Sequence, residues 1–232
     1  MDGQVPKLKA METIIDISAI ERKIADYQSQ GKSLFATSSF QSHSLPLLHI
    51  LSRIDRTIPV YFMNTGFLFP ETLTFAEEVA ASLDLRVIGL RPATPKVHQF
   101  DHDGRFYFAS DPDHCCYLNK IQPLEPILMT HDVWINGIRA DQSAERRAMH
   151  EEEPAPYDTI RYHPMLNWNA RMLHTYAREY DLPPHPLEAD GYLSIGCEPC
   201  TSRYLDDGNV RNARWFGMNK TECGLHTQLV SK

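Results

Sequence analysis

The sequence predicts an α/β fold, a parallel sheet with helices on both faces. Three observations predict it. Short apolar runs recur at residues 33–37, 58–63, 85–90 and 133–135, stretches of helical apolar period separate the first three, and polar turns at residues 38–44 and 64–66 follow directly on two of the runs. Sheets of this kind bind ligands beyond the carboxyl ends of their strands, where both turns fall. With 232 residues and 42% hydrophobic content, the chain is long enough for one well-packed core.

Residues 14–30 carry apolar side chains at helical spacing, and Gly31 stops the helix. The run at 33–37 is a buried strand, 38–44 a polar turn and 45–54 the next helix. The run at 58–63 is a second strand that ends in the turn Asn64-Thr-Gly66. Pro70 and Glu71 open a helix to about residue 83, with a proline and an acid where both are favoured. Residues 85–90 form a third strand. Residues 95–112, rich in His, Asp and aromatics, read as a long loop, and 115–129 as a helix. The fourth strand, 133–135, runs into a polar stretch at 138–147. Residues 151–154 read as a solvated loop, and 169–180 as a helix stopped by the prolines of 182–186. From about residue 206 the chain loses apolar periodicity. We read residues 1–205 as one α/β domain and 206–232 as a mobile tail.

Charge and composition exclude several classes. The formal net charge is -7, whereas a duplex-binding protein needs a basic surface to neutralise phosphates. Any anion site is therefore local. No apolar run approaches the length that spans a bilayer, and residues 1–18 lack the apolar core of a secretory signal. A cytoplasmic location is expected. Thiols stay reduced there, so the five cysteines read as metal ligands or catalytic thiols.

Four of them form two pairs, Cys115-Cys116 and Cys197-Glu-Pro-Cys200. A C-x-x-C loop presents two thiolates to one centre and is a common half-site for zinc or an iron–sulfur cluster. Adjacent residues on a helix point about 100° apart, a poor fit to one small zinc ion and a better one to separate iron corners. Ordinary buried cysteines at a helix start are the alternative for the vicinal pair. Cys223 stands apart, with Lys220 and His226 near it. Basic neighbours lower a thiol pKa, while an inert cysteine in the tail is the alternative.

Basic residues cluster in sequence around these thiols. Arg139, Arg146 and Arg147 follow the fourth strand, Arg211 and Arg214 precede Cys223, and Lys120 lies four residues beyond Cys116, on the same helix face. The arginine fork suits phosphate and sulfate. The turn containing Ser38 and Ser39 is dense in hydroxyls and precedes a helix, so it serves equally as a phosphate wrap or as a helix cap. Trp134 and Trp168 read as core residues.

Five ordered motifs then resemble those of the assimilatory adenylyl-sulfate and phosphoadenylyl-sulfate reductases. They are NTGFLFPET at 64–72, CCYLNKIQPL at 115–124, WINGIRADQS at 134–143, GYLSIGCEPCT at 191–201 and ECGLH at 222–226. The resemblance runs from about residue 33 to 226. It implies a fold like the adenine-nucleotide α-hydrolases, related to the ATP pyrophosphatases. It implies that Cys115, Cys116, Cys197 and Cys200 hold a [4Fe–4S] cluster and that Cys223 is the nucleophile. Lys120, Arg139, Arg147, Arg211, Arg214 and His226 would surround the substrate's phosphosulfate, with Ser38 and Ser39 in the phosphate-facing turn. The chain departs from the family pattern at Gln41, where glycine is usual, at Asn64, where aspartate is commoner, and at Trp215-Phe-Gly217.

Members with the cluster set usually act on adenosine 5′-phosphosulfate. The resemblance therefore implies thioredoxin-dependent reduction of that nucleotide to sulfite and AMP through an S-sulfocysteine on Cys223, with a thioredoxin-like dithiol protein as partner. No nucleic acid or membrane partner is expected, and a homo-oligomer is compatible with the sequence. The rival readings are a phosphoadenylyl-sulfate or dual-substrate reductase, a cluster-bearing ATP-dependent tRNA thiolase, and a non-enzymatic zinc module. The thiolase expects a glycine-rich phosphate loop and a basic surface, and the zinc module leaves Cys223 unexplained.

Overall fold

In the computed structural model, the described residues are 17–204, 213–215, 217, 218, 220 and 222–226. Six strands form one sheet: β1 (Leu34–Ser38), β2 (Val60–Met63), β3 (Val87–Leu90), β4 (Val133–Asn136), β5 (Glu152–Pro154) and β6 (Ile160–Tyr162). Their order is β3-β2-β1-β4-β6-β5. All neighbours are parallel except β5, which pairs antiparallel with β6 at the edge. The order reverses between β1 and β4, which opens a crevice at their carboxyl ends.

Alternation along the strands divides the core. Leu34 and Ala36, Val60 and Phe62, and Val133 and Ile135 face one side. There they pack on α1 (Ser18–Ser29), α2 (Leu45–Ile54), α3 (Pro70–Ser82) and α8 (Ala170–Glu179) through Ile24, Leu51, Phe75 and Tyr176. Phe35, Tyr61, Met63 and Trp134 face the other side and pack on Ile121, Leu124, Leu128 and Leu225. Both faces are thus covered, as expected. Trp134 and Trp168 are core residues, and Trp215 is buried as well.

The residues expected to form one helix at 115–129 do so in three joined pieces. These are α5 (Pro112–Cys116), a wide π turn (Tyr117–Ile121) and α6 (Gln122–Leu128). Within the loop read at 95–112, Tyr107–Ser110 forms one helical turn, α4. Another, α7, spans Ala144–Arg147, within the polar stretch after β4.

Residues 151–154, expected to be a solvated loop, instead supply β5. Two charged residues and a proline hide the strand, and an edge position tolerates all three. Strand β6 was not anticipated, because it is three residues long with a buried arginine, Arg161, at its centre. Among the described residues, no helix is long and apolar enough to cross a membrane.

Candidate active site

A cavity of about 940 Å³ opens at the carboxyl ends of β1, β2 and β4. Its floor begins at Ser38, the last residue of β1. Phe40 then takes a left-handed conformation (φ 54°) that turns the chain sharply and buries its ring edge-on to Phe62. The Ser38 hydroxyl accepts from the Phe40 amide at 3.1 Å, and the Ser39 hydroxyl lies 3.2 Å from that of Ser44. Gln41 acts as a brace. Its Nε2 donates to Ser39 Oγ at 3.2 Å, and its Oε1 accepts from the Ile195 amide at 2.7 Å. The serine turn is thereby tied to the segment that leads into Cys197.

The cavity brings together Ser38, Ser39, Lys120, Arg139, Arg214 and Cys223 among the residues the sequence singled out. It does not include Arg147, which is exposed. Adjacent residues on α7 point about 100° apart, and Arg146 takes the inward position. Arg211 lies outside the described residues, as does most of the segment read as mobile. The backbone of His226 closes a single helical turn, Gly224–His226, but its side chain is outside the described set.

Two residues that the sequence reading passed over face this site. Asn136, at the end of β4, is buried, yet neither Oδ1 nor Nδ2 has a hydrogen-bond partner in the structure. Arg139 is held by Asp141 through its Nε at 2.9 Å, while its buried Nη1 likewise lacks a partner. Orphaned buried donors and acceptors carry a desolvation cost, and here they line a cavity that a polar ligand can fill. The second residue is Thr65, whose hydroxyl lies 3.3 Å from Cys197 Sγ. The sequence held one signal for it, the Asn-Thr-Gly turn, in which Gly66 has a positive φ of 75°.

Cys223 is half-buried, and its Sγ lies 3.5 Å from Lys120 Nζ. Burial pushes its pKa up. Lys120, the Leu225 amide and Arg214 more than offset that, so the thiol sits below its ordinary value despite Glu222 beside it. Burial works against the Lys120 ammonium too, but Cys116, Cys223 and Cys197 around it raise its pKa well above normal. The π turn matters here: it lets Lys120 reach across from the helix that carries Cys115 and Cys116.

Those two cysteines, with Cys197 and Cys200, line one small void walled by Phe67, Phe108 and Trp215. Cys200 follows Cys197 in a tight turn, with the Cys200 amide donating to the Cys197 carbonyl at 2.9 Å. Arg214 clasps this loop, donating from Nε to the Cys200 carbonyl and from Nη1 to the Ile195 carbonyl, each at 3.1 Å. Its guanidinium lies so close over Gly196 that a Cβ there would meet Nη2 at 2.2 Å. Burial, with the neighbouring cysteines, pushes the Cys115 thiol up to about 12; burial and Cys197 push Cys200 up to about 11. Lys120, and for Cys200 also Arg214, offset this only in part. Among the described residues, no group of three or more His, Cys, Asp or Glu is arranged for a single metal ion.

Residues 33–203 match the phosphoadenosine phosphosulfate reductase domain. The adenosine 5′-phosphosulfate reductase of Streptomyces coelicolor is 35% identical over 222 residues, covering 94% of this chain and 92% of that protein. The phosphoadenosine 5′-phosphosulfate reductase of Gloeobacter violaceus is also 35% identical, over 202 residues, covering 84% and 83%. The crystal structure of the phosphoadenylyl-sulfate reductase from Candida auris shares the fold, with a TM-score of 0.64 at 21% identity, covering 77% of this chain and 87% of that one.

Proposed function

Because the chain belongs to the phosphoadenosine phosphosulfate reductase family, we propose that it reduces adenosine 5′-phosphosulfate to sulfite and AMP in sulfate assimilation, with Cys223 as nucleophile and a thioredoxin-like dithiol protein as reductant. The observation that carries the reading is the Cys223 thiol facing the cavity 3.5 Å from the Lys120 ammonium, with its pKa lowered.

In the first step the Cys223 thiolate attacks the substrate's sulfur. The sulfur–oxygen bond to the phosphate breaks, and AMP leaves with the electron pair. The enzyme keeps an S-sulfocysteine. A thiolate of the dithiol partner then attacks Cys223 Sγ and releases sulfite, and the partner's second thiol resolves the mixed disulfide. The partner gives up two electrons, and sulfur passes from the +6 to the +4 state. Charge on the sulfonate and on the leaving phosphate must be offset for attack to occur. Lys120, Arg139 and Arg214 supply cations along the cavity. Ser38, Ser39 and the orphaned amide of Asn136 offer hydrogen bonds to the nucleotide.

The four gathered cysteines fit a [4Fe–4S] cluster. They diverge from two adjacent helix positions and one turn, share an aromatic-walled void, and as thiolates would need a positive core to neutralise them. Cys115, Cys116, Cys197 and Cys200 would hold it, and when bound it would supply positive charge and rigidity beside Lys120. The expected location is the cytoplasm, where these thiols stay reduced.

The test is sulfite release from each nucleotide with a dithiol protein, run side by side, together with an iron and sulfide assay on anaerobic protein. The Cys223→Ser variant should bind nucleotide and keep its iron but release no sulfite; turnover by that variant would overturn the mechanism. The 3′-phosphorylated nucleotide is the second reading, favoured by the equal identity to the Gloeobacter violaceus protein.

A further inference from the structure

The segment that carries the nucleophile is seated against the body of the protein by specific non-covalent contacts. Glu222 and Arg146 form a two-pronged ion pair. Arg146 Nε donates to Oε2 at 2.9 Å and Nη2 to Oε1 at 2.8 Å. The two side chains are only 8% and 4% exposed, so the pair is buried. The same Glu222 carboxylate accepts from the Cys223 amide through Oε1 at 2.8 Å. On the other side of Cys223, the buried Arg161 donates to the Leu225 carbonyl while its guanidinium stacks on the Trp134 indole at 4.4 Å. Leu225 fills the core on that face of the sheet, and Lys220 pairs with Asp113 on α5.

We propose that Glu222 is the positioning residue of the reaction: through Arg146 it latches the tail onto the sheet and sets the Cys223 thiol over Lys120, facing the nucleotide cavity. The inference rests on the functional reading above. The geometry carries it in three ways. One carboxylate binds both the body of the protein and the backbone of the nucleophile, so it fixes Cys223 to within one bond of the ion pair. The pair is buried, so water competes weakly for either partner. In the latched arrangement Cys223 and Lys120 still line the open cavity, so latching presents the thiol to a ligand and does not bury it away. Arg146 is in turn braced by Gln142 Oε1, which fixes it to the loop after β4.

The test uses the full chain. Alkylation of Cys223 by iodoacetamide, followed by peptide mass spectrometry, reads how often the tail leaves its seat. Release of AMP in a single turnover, without any dithiol, reads the first chemical step. In Glu222→Gln the shape is kept and the charge is lost. Alkylation should speed up about ten-fold or more, and AMP release should slow by a similar factor. The KM for nucleotide should stay within about two-fold, because the carboxylate does not line the cavity. Glu222→Asp keeps the charge and should fall between the two in both assays; it also serves where the glutamine variant does not fold. Both rates within two-fold of the wild type in both variants would overturn the latch. A wild type that releases no AMP from either nucleotide, yet shows the alkylation contrast, would leave the latch standing and sink the functional reading.

Discussion

Substituting Gly224 by alanine adds one methyl group at the point where the tail meets the cysteine pair. The new Cβ would lie 2.7 Å from Cys116 Cβ, 3.6 Å from its Sγ and 3.7 Å from Ile121 Cδ1. Carbon atoms in contact normally sit about 3.5–4.0 Å apart, so a gap of about 1 Å must open. Cys116 Cβ is fixed by its helix, which leaves the tail to move. Overpacking of this kind costs about 2–3 kcal/mol, near the top of its usual range. Alanine returns up to about 1 kcal/mol by restricting the undocked chain. The net cost of about 1–3 kcal/mol lowers the ratio of docked to undocked tail about 5- to 150-fold. The φ of Gly224 lies outside the left-handed region, so the effect is one of space and not of backbone conformation. The assay is the alkylation rate of Cys223, with the melting temperature as control, since the sheet is untouched. Gly89→Ala, which meets nothing within 4 Å, should leave both unchanged. If Gly224→Ala alkylates at the wild-type rate, the tail does not rest on Cys116 in solution, and the reasoning fails.

Other expectations follow from the same geometry. Lys120→Gln removes the main force lowering the Cys223 pKa, so the thiolate, and with it AMP release, should appear at higher pH. The sign is that of a depressed acid: the thiolate's contribution to tail docking is full above the ordinary thiol pKa and is lost as pH falls through the lowered one, a window that Lys120→Gln narrows. A pH profile of alkylation checks both. Asn136→Ala breaks no bond that its side chain makes within the protein, so the melting temperature should hold or rise. Loss of about 1 kcal/mol of hydrogen bonding to nucleotide should raise KM about five-fold. Arg147→Ala should leave kcat/KM within two-fold, whereas Arg146→Ala removes the ion-pair partner of the buried Glu222 carboxylate at a cost of about 3–5 kcal/mol and should release the tail.

The contrast between Arg146 and Arg147 illustrates what the sequence could carry. Strands β1 to β4 were legible because a sheet covered on both faces writes short, continuous apolar runs, and the helices between them by their own apolar period. The pairing of Cys115-Cys116 with Cys197 and Cys200 was legible because thiols are rare and their spacing is informative. Strand β6 was not, since its central residue is an arginine that burial permits only through Trp134 and the Leu225 carbonyl, both distant in sequence. The same holds at the site. Nothing local distinguishes Arg146 from Arg147; the phase of a four-residue helix decides it. Asn136 gave no signal because its importance lies in partners it lacks, and Gln41, read as a departure, proved to be a brace between the serine turn and Ile195.

The wide turn at Tyr117–Ile121 has a consequence for the length of the chain. It accommodates one residue more than a regular helix would, between the thiols of Cys115 and Cys116 and the apolar anchors Leu124 and Leu128. Removing a single residue there would let the helix close up into regular geometry while the segments on either side keep their phase. Leu124 and Leu128 would stay in the core, and the cysteine pair would stay beside Cys197 and Cys200. What such a deletion would change is the turn itself, and with it the path by which Lys120 reaches Cys223. A one-residue deletion within α6, where no wide turn absorbs it, would instead rotate everything before it by about 100° and advance it about 1.5 Å. The extra residue is thus a device for placing the Lys120 ammonium rather than for holding the cysteines.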